Sequence, residues 1–189
     1  ELTGIGAYIV SRRLVTVAAL SQAARAIYQE LANATEGLDL VFRPSVDVAP
    51  GASEDEIQRA LKESLALHRP RELAQGFTVS GPHRDDFQML LADMDAGVYG
   101  SRGQCRTVVL AMKLAEASYL QEQRGQEPIL LLDDVLSELD RTRRARVLRR
   151  ASQYQQCLIT TADVGQVEER YLSEMSRFVV DNGQVIPIR

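Results

Sequence analysis

Hydrophobic positions along the chain change period several times, and those changes mark out its elements. Ile5, Ile9, Val10, Leu14, Val17, Leu20, Ala24, Ile27 and Leu31 recur near helical spacing, with Arg12, Arg13, Gln22, Arg25 and Glu30 between them. The pattern predicts a long helix over residues 5–33 that needs a partner surface along most of its face. Residues 38–42 follow as a short strand and residues 44–51 as a turn-rich linker. Ser53 with Glu56 makes a capping box ahead of Ile57, Leu61 and Leu65, so a second, largely surface helix of about four turns starts there. The run Arg69-Pro70-Arg71-Glu72 interrupts it.

Residues 77–79 and 87–91 read as strands around a polar stretch, Ser80-Gly81-Pro82-His83-Arg84-Asp85-Asp86. A ligand-facing loop and a solvated hairpin connection both account for those letters. A long helical pattern runs from Cys105 to Leu120, directly after Gly100-Ser101-Arg102-Gly103-Gln104, and Gly125 ends it. Residues 128–134, Pro-Ile-Leu-Leu-Leu-Asp-Asp, contain four consecutive branched aliphatics. A run without alternation predicts a strand buried on both faces, as at the centre of a parallel sheet. A helix carrying Arg141, Arg143, Arg144, Arg146, Arg149 and Arg150 comes next, then a second buried strand over residues 157–161. Residues 178–180 and 185–188 close the chain as a hairpin around Asp181-Asn182-Gly183, since Asn-Gly supplies the positive φ angles of a tight turn.

Residue content adds three constraints, and hydropathy another. The 189 residues suffice for one large domain or two small ones, and a net charge of −4 excludes a protein that is basic throughout while permitting a local basic patch. Cys105 and Cys157 are too few and too far apart for a disulfide framework or a metal cluster, so they read as buried thiols in a reducing compartment, which points to the cytoplasm. No apolar run approaches the length of about 20 residues that spans a bilayer, so no membrane partner is expected. The third constraint is chemical: of the 22 basic residues only Lys62 and Lys113 are lysines. Neither stands in the Gly-Lys-Ser/Thr context that lets a lysine reach the β and γ phosphates of a nucleotide.

Candidate chemistry lies in three places. Asp133 and Asp134 end the aliphatic strand, where side-by-side carboxylates lose solvent and repel unless a cation or a hydrogen-bond donor offsets the cost. Magnesium is the natural cation, and capping of the following helix is the plainer reading. At Ser101, Gly103 and Gln104 the helix start leaves backbone N–H groups open to an anion, although N-capping by Ser101 explains the same residues. Arg143, Arg146 and Arg150 share a helix face that meets either nucleic-acid phosphate or water and nearby acids.

In this order, the helix start at Ser101-Arg102-Gly103-Gln104, the strand ending at Asp133-Asp134, the turn Ser137-Glu138-Leu139-Asp140 and the strand ending at Thr160-Thr161 resemble the ABC-type ATPase heads of the SMC family. Together with Gly81-Pro82-His83-Arg84-Asp85-Asp86 and Arg106-Thr107, the wording is similar to the RecF family of bacterial recombination-repair proteins. The resemblance implies an α/β fold: a helical lobe with the signature motif over residues 1–127, followed by the carboxy-terminal part of an ABC-type nucleotide-binding lobe over residues 128–189. It implies ATP and Mg2+ as cofactors. Ser101, Gly103 and Gln104 would contact the γ-phosphate of ATP on the opposite subunit, Asp133 would hold magnesium and Asp134 would orient or activate the attacking water. Ser137 and Asp140 would belong to the D-loop at the dimer interface, and Thr161 would stand near the switch position. Arg102 departs from the glycine usual there in transporter signatures, and Asp134 is one methylene shorter than the usual glutamate. Implied partners are DNA, a second head in an ATP-dependent homodimer, and recombination mediators such as RecR and RecO.

The family places its P-loop well before the signature, so this stretch reads as a carboxy-terminal part whose final strands lack sheet partners. It is expected alone to be inactive as an ATPase, and to associate or leave its last third loosely packed. A non-catalytic domain that binds DNA or protein is the alternative reading. A metal-dependent phosphotransferase without a P-loop is a third, and no nucleophile or third acid at a supporting spacing favours it.

Overall fold

A computed structural model describes residues 1–188. Helix α1 (Leu2–Ala32) is 31 residues long and ends at Asn33 in the left-handed conformation. It serves two cores. Ala7 and Val10 near its start pack with Val46 and with Ile57 and Leu61 of α2 (Glu54–Gln75). Ala24, Ile27, Tyr28 and Leu31 near its end join a larger core with Val108, Ala111 and Leu114 of α4 (Arg102–Arg124). Gly6 permits the close approach at the first of these: a Cβ there would come within 3.1 Å of Leu61 Cδ1. Each fully buried aliphatic, such as Ile57 or Leu114, contributes roughly 1.5–3 kcal/mol.

Helix α2 starts as expected, with Ser53 accepting from the Glu56 amide and Glu56 accepting from the Ser53 amide. It does not stop at Pro70. The helix continues through the proline to Gly76, whose φ of 76° closes it with an N–H to Glu72 O bond of 2.8 Å. The surrounding turn is exposed, so the carbonyl that Pro70 leaves without a donor lies open to solvent.

Strand β1 (Leu38–Arg43) pairs antiparallel with β2 (Asp86–Leu91), which pairs with the short β3 (Met94–Asp95). The expected strand at residues 77–79 does not form. Side chains take its backbone instead: the Val79 amide donates to Glu72 Oε1 at 2.8 Å, and Thr78 O accepts from Arg84 Nε at 3.0 Å. A single turn of helix, α3 (Ala96–Tyr99), leads into α4.

Strands β4 (Leu130–Asp133) and β5 (Cys157–Thr160) form a parallel pair, joined through α5 (Arg141–Ala151). Burial on both faces is not observed. Leu130 and Leu132 enter the main core, whereas Leu131 is 68% exposed and Leu158 50% exposed. Only one face of this two-stranded sheet has a helical layer against it, so an unbroken aliphatic run here alternates in burial. Cys157 is correspondingly half-buried, not enclosed. The short helix α6 (Glu169–Leu172) adds Tyr171 to the main core. The hairpin of β6 (Arg177–Asp181) and β7 (Gln184–Ile188) turns at Asn182 and Gly183, both at positive φ, as the Asn-Gly pair predicts. Its apolar side chains, including Phe178, Val180 and Ile186, are exposed. Among the described residues no helix is long and apolar enough to cross a membrane.

Candidate functional site

Asp133 and Asp134 lie at the carboxy-terminal end of β4, and their surroundings come from β5 and from the turn that follows. Asp133 and Thr160 are register partners across the parallel pair. The Thr160 hydroxyl donates to Asp133 Oδ1 at 2.6 Å and accepts from the Asp134 amide at 3.0 Å. Asp134 adopts the left-handed conformation, φ 50° and ψ 23°, which aspartate tolerates better than most side chains and which turns the strand into a 3₁₀ turn over Val135–Glu138. Ser137 Oγ closes that turn against Asp134 O at 2.8 Å and Asp134 Oδ2 at 3.0 Å.

The two acids are therefore not sealed from water as the strand pattern predicts; both are exposed. Among the described residues, no hydrogen bond reaches Asp133 Oδ2 or Asp134 Oδ1, and no group of three or more His, Cys, Asp or Glu gathers around them. That donor set suits magnesium, an oxygen-seeking ion that binds through one or two carboxylates and takes its remaining ligands from water and phosphates. It does not suit a fully protein-ligated metal.

At the start of α4, Ser101 Oγ accepts from the Gln104 amide at 3.3 Å, and Gln104 Oε1 accepts from the Ser101 amide at 2.9 Å. This reciprocal capping box is local helix chemistry. Gly103 lies against α5: a Cβ there would stand 3.0 Å from Arg143 Nη1. Arg143 also pairs with Asp140 at 3.5 Å, and Asp140 caps α5 by accepting from the Arg143 amide at 2.9 Å. Gly103 and Asp140 thus meet across one guanidinium. Arg106, one turn further along α4, pairs with Glu138 at 2.9 Å. Asp133, Asp134 and Ser137 form one group. Thr161 stands outside it, with its hydroxyl donating to Asp163 O at 3.0 Å.

Thr160, Arg106 and Glu138 fall within the quoted motifs, but the sequence gives them no individual role. Thr160 is one position from Thr161, and only the register between β4 and β5 distinguishes the two. The arginine face of α5 has a structural use: Arg146 Nη1 donates to Leu31 O at 3.1 Å and Arg150 pairs with Glu30 at 3.1 Å, both at the end of α1. The polar stretch before β2 is likewise a junction. Asp85, nearly fully buried, pairs with Arg13 at 2.9 Å and accepts from the Ser45 amide at 3.0 Å.

A parallel pair ending on two acids and a capped helix start beside the following turn sit in a mixed helix and sheet fold of the kind found in ABC-type ATPase heads. The fold superposes on an SMC head solved with the C-winged helix domain of ScpA, at TM-score 0.50 and 14% identity over 92% of this chain and 42% of that one. Nearly the whole chain is similar in sequence to RecF proteins. It is 38% identical over 186 residues to the DNA replication and repair protein RecF of Chloroflexus aurantiacus, and 37% identical over 186 residues to that of Lactobacillus gasseri. Each match covers 98% of this chain, and 47% and 50% of the relative respectively, so the chain spans about half the length of the curated relatives it matches. A solved structure described as the recombination mediator protein RecF-ATP in the RecFOR pathway superposes with TM-score 0.83 and 32% identity, over 100% of this chain and 48% of that one. No protein-family model matches.

Proposed function

We propose that this chain is part of an ATP-dependent DNA-binding protein of recombinational DNA repair, in which ATP joins two heads on DNA and hydrolysis releases them. The observation that carries this reading is the acid pair at the end of β4, held by Thr160 and Ser137 so that each carboxylate keeps one oxygen clear of protein hydrogen bonds. Asp133 would hold Mg2+, and Asp134 would orient the attacking water. Magnesium, when bound, neutralises charge that develops on the transferred phosphoryl group. The phosphates themselves are cradled by residues outside this stretch, because neither Lys62 nor Lys113 lies in a Gly-Lys-Ser/Thr sequence.

The start of α4 serves the other subunit. Ser101, Gly103 and Gln104 present the positive end of a 23-residue helix, suited to the γ-phosphate of a nucleotide bound opposite. Ser137 and Asp140 lie at the dimer interface and Thr161 near the switch position. In this reading residues 1–127 form the helical lobe and residues 128–189 complete the nucleotide-binding lobe. DNA and the mediators RecR and RecO are the partners, consistent with a match described within the RecFOR pathway.

The test compares this chain with a full-length polypeptide that contains it and a Gly-x-x-x-x-Gly-Lys-Ser/Thr segment. The longer protein binds and hydrolyses ATP with Mg2+, and residues 1–189 alone do neither. Full turnover by residues 1–189 alone contradicts the assignment.

A further inference from the structure

We propose that Thr160 is the positioning residue of the acid pair, fixing through one hydroxyl both the carboxylate of Asp133 and the backbone of Asp134. This inference rests on the magnesium and nucleotide reading above and deepens it.

Hydrogen-bond direction at Thr160 is set by its partners. An amide can only donate, so the Asp134 N–H takes a lone pair of Thr160 Oγ1 at 3.0 Å. The single hydroxyl proton is then directed to Asp133 Oδ1, at 2.6 Å, the short distance typical of an O–H bond to an ionised carboxylate. The same amide also reaches Thr160 O at 3.2 Å, so the Asp134 backbone is tied to β5 twice. Asp134 sits at φ 50°, where an L side chain needs such support.

Two consequences follow from that arrangement. Asp133 Oδ1 accepts from Thr160, which fixes the orientation of the carboxylate that would hold a cation. Asp134, with its amide held by Thr160 and its Oδ2 by Ser137 at 3.0 Å, points a carboxylate of fixed orientation beside it. Partners of this kind fix the direction of a metal-binding carboxylate, and their loss typically lowers metal affinity by about 10- to 100-fold. Thr161 has no such contact; its hydroxyl is engaged with Asp163.

The experiment uses Thr160→Val, Thr160→Ser and Asp133→Asn in the full-length protein, with Mn2+ as the probe. Bound Mn2+ is measured by electron paramagnetic resonance in the presence of a non-hydrolysable ATP analogue, and analogue affinity is measured separately in EDTA. Valine keeps the branched shape of threonine in an exposed strand position and removes only the hydroxyl. Thr160→Val is expected to weaken Mn2+ binding about tenfold with analogue affinity in EDTA unchanged, and Thr160→Ser to bind Mn2+ within about twofold of wild type. Mn2+ binding by Thr160→Val at the wild-type level, while Asp133→Asn loses it, overturns the role of Thr160. A Thr160→Ser protein as weak as Thr160→Val also overturns it, because shape rather than the hydroxyl then matters. Undiminished Mn2+ binding by Asp133→Asn contradicts the magnesium reading itself, an outcome separate from the other two.

Discussion

Arg13 and Asp85 meet at 2.9 Å, 72 residues apart in sequence, with the Asp85 side chain only 1% exposed. The pair joins the first half of α1 to the turn that launches β2. Asp85 also receives the Ser45 amide, and Arg13 donates to Pro82 O, so three segments converge on one carboxylate. Removing that carboxylate leaves the Ser45 amide without its acceptor and Arg13, itself 43% exposed, with Pro82 O and water. Asp85→Ala should therefore lower stability by about 1–2 kcal/mol, measured as a shift in the urea midpoint at constant slope. Asp85→Asn, which still accepts from Ser45, should cost less. A midpoint unchanged in Asp85→Ala would show that the junction contributes nothing.

The start of α2 should be sensitive to acid. Hydrogen bonds from the backbone and then the side chain of Ser53 hold the Glu56 carboxyl below its ordinary range. A group whose folded value is lowered stabilises the fold above its unfolded value and loses that contribution as pH falls through the folded one. Amide exchange in the first turn of α2 should accelerate, relative to the helix centre, as the pH falls below the ordinary carboxyl value of 4.5. Glu56→Gln keeps the capping geometry and should abolish that dependence.

The arginines of α5 should matter little for DNA. Arg146 and Arg150 are engaged with Leu31 O and Glu30, so their role is to hold α5 against the end of α1. In the full-length protein, Arg146→Ala with Arg150→Ala should leave the salt dependence of DNA affinity unchanged, where each lost phosphate contact would reduce the slope by about 0.9. Stability should fall modestly, by about 1 kcal/mol for a partly exposed pair and its neighbour.

Features set by neighbours in sequence were legible without coordinates. The capping box at Ser53, the N-cap at Ser101, the Asn182-Gly183 turn and the helical periods of α1 and α4 depend on residues within a turn or two of each other. Errors arose where the deciding contact is distant. The run at residues 129–132 carries no period, so its letters cannot say that Leu132 meets a helical layer while Leu131 does not. Pro70 suggests a break from its local cost alone, whereas the helix turn around it is exposed to solvent and continues. Thr160 and Thr161 are indistinguishable until the register with Asp133 selects one. The arginines of α5 revealed their partners only once α1 was seen beside them.

If the acids of β4 and the start of α4 serve nucleotides in a dimer of heads, substitutions at the two places should separate hydrolysis from dimerisation. Sedimentation of the full-length protein, with and without ATP, tests it most directly in two variants. Asp134→Asn should dimerise with ATP and persist as a dimer, because hydrolysis is slowed while the interface is intact. Ser101→Arg, which places a bulky cation at the helix start, should remain monomeric with ATP. A Ser101→Arg protein that dimerises as readily as wild type would contradict the account.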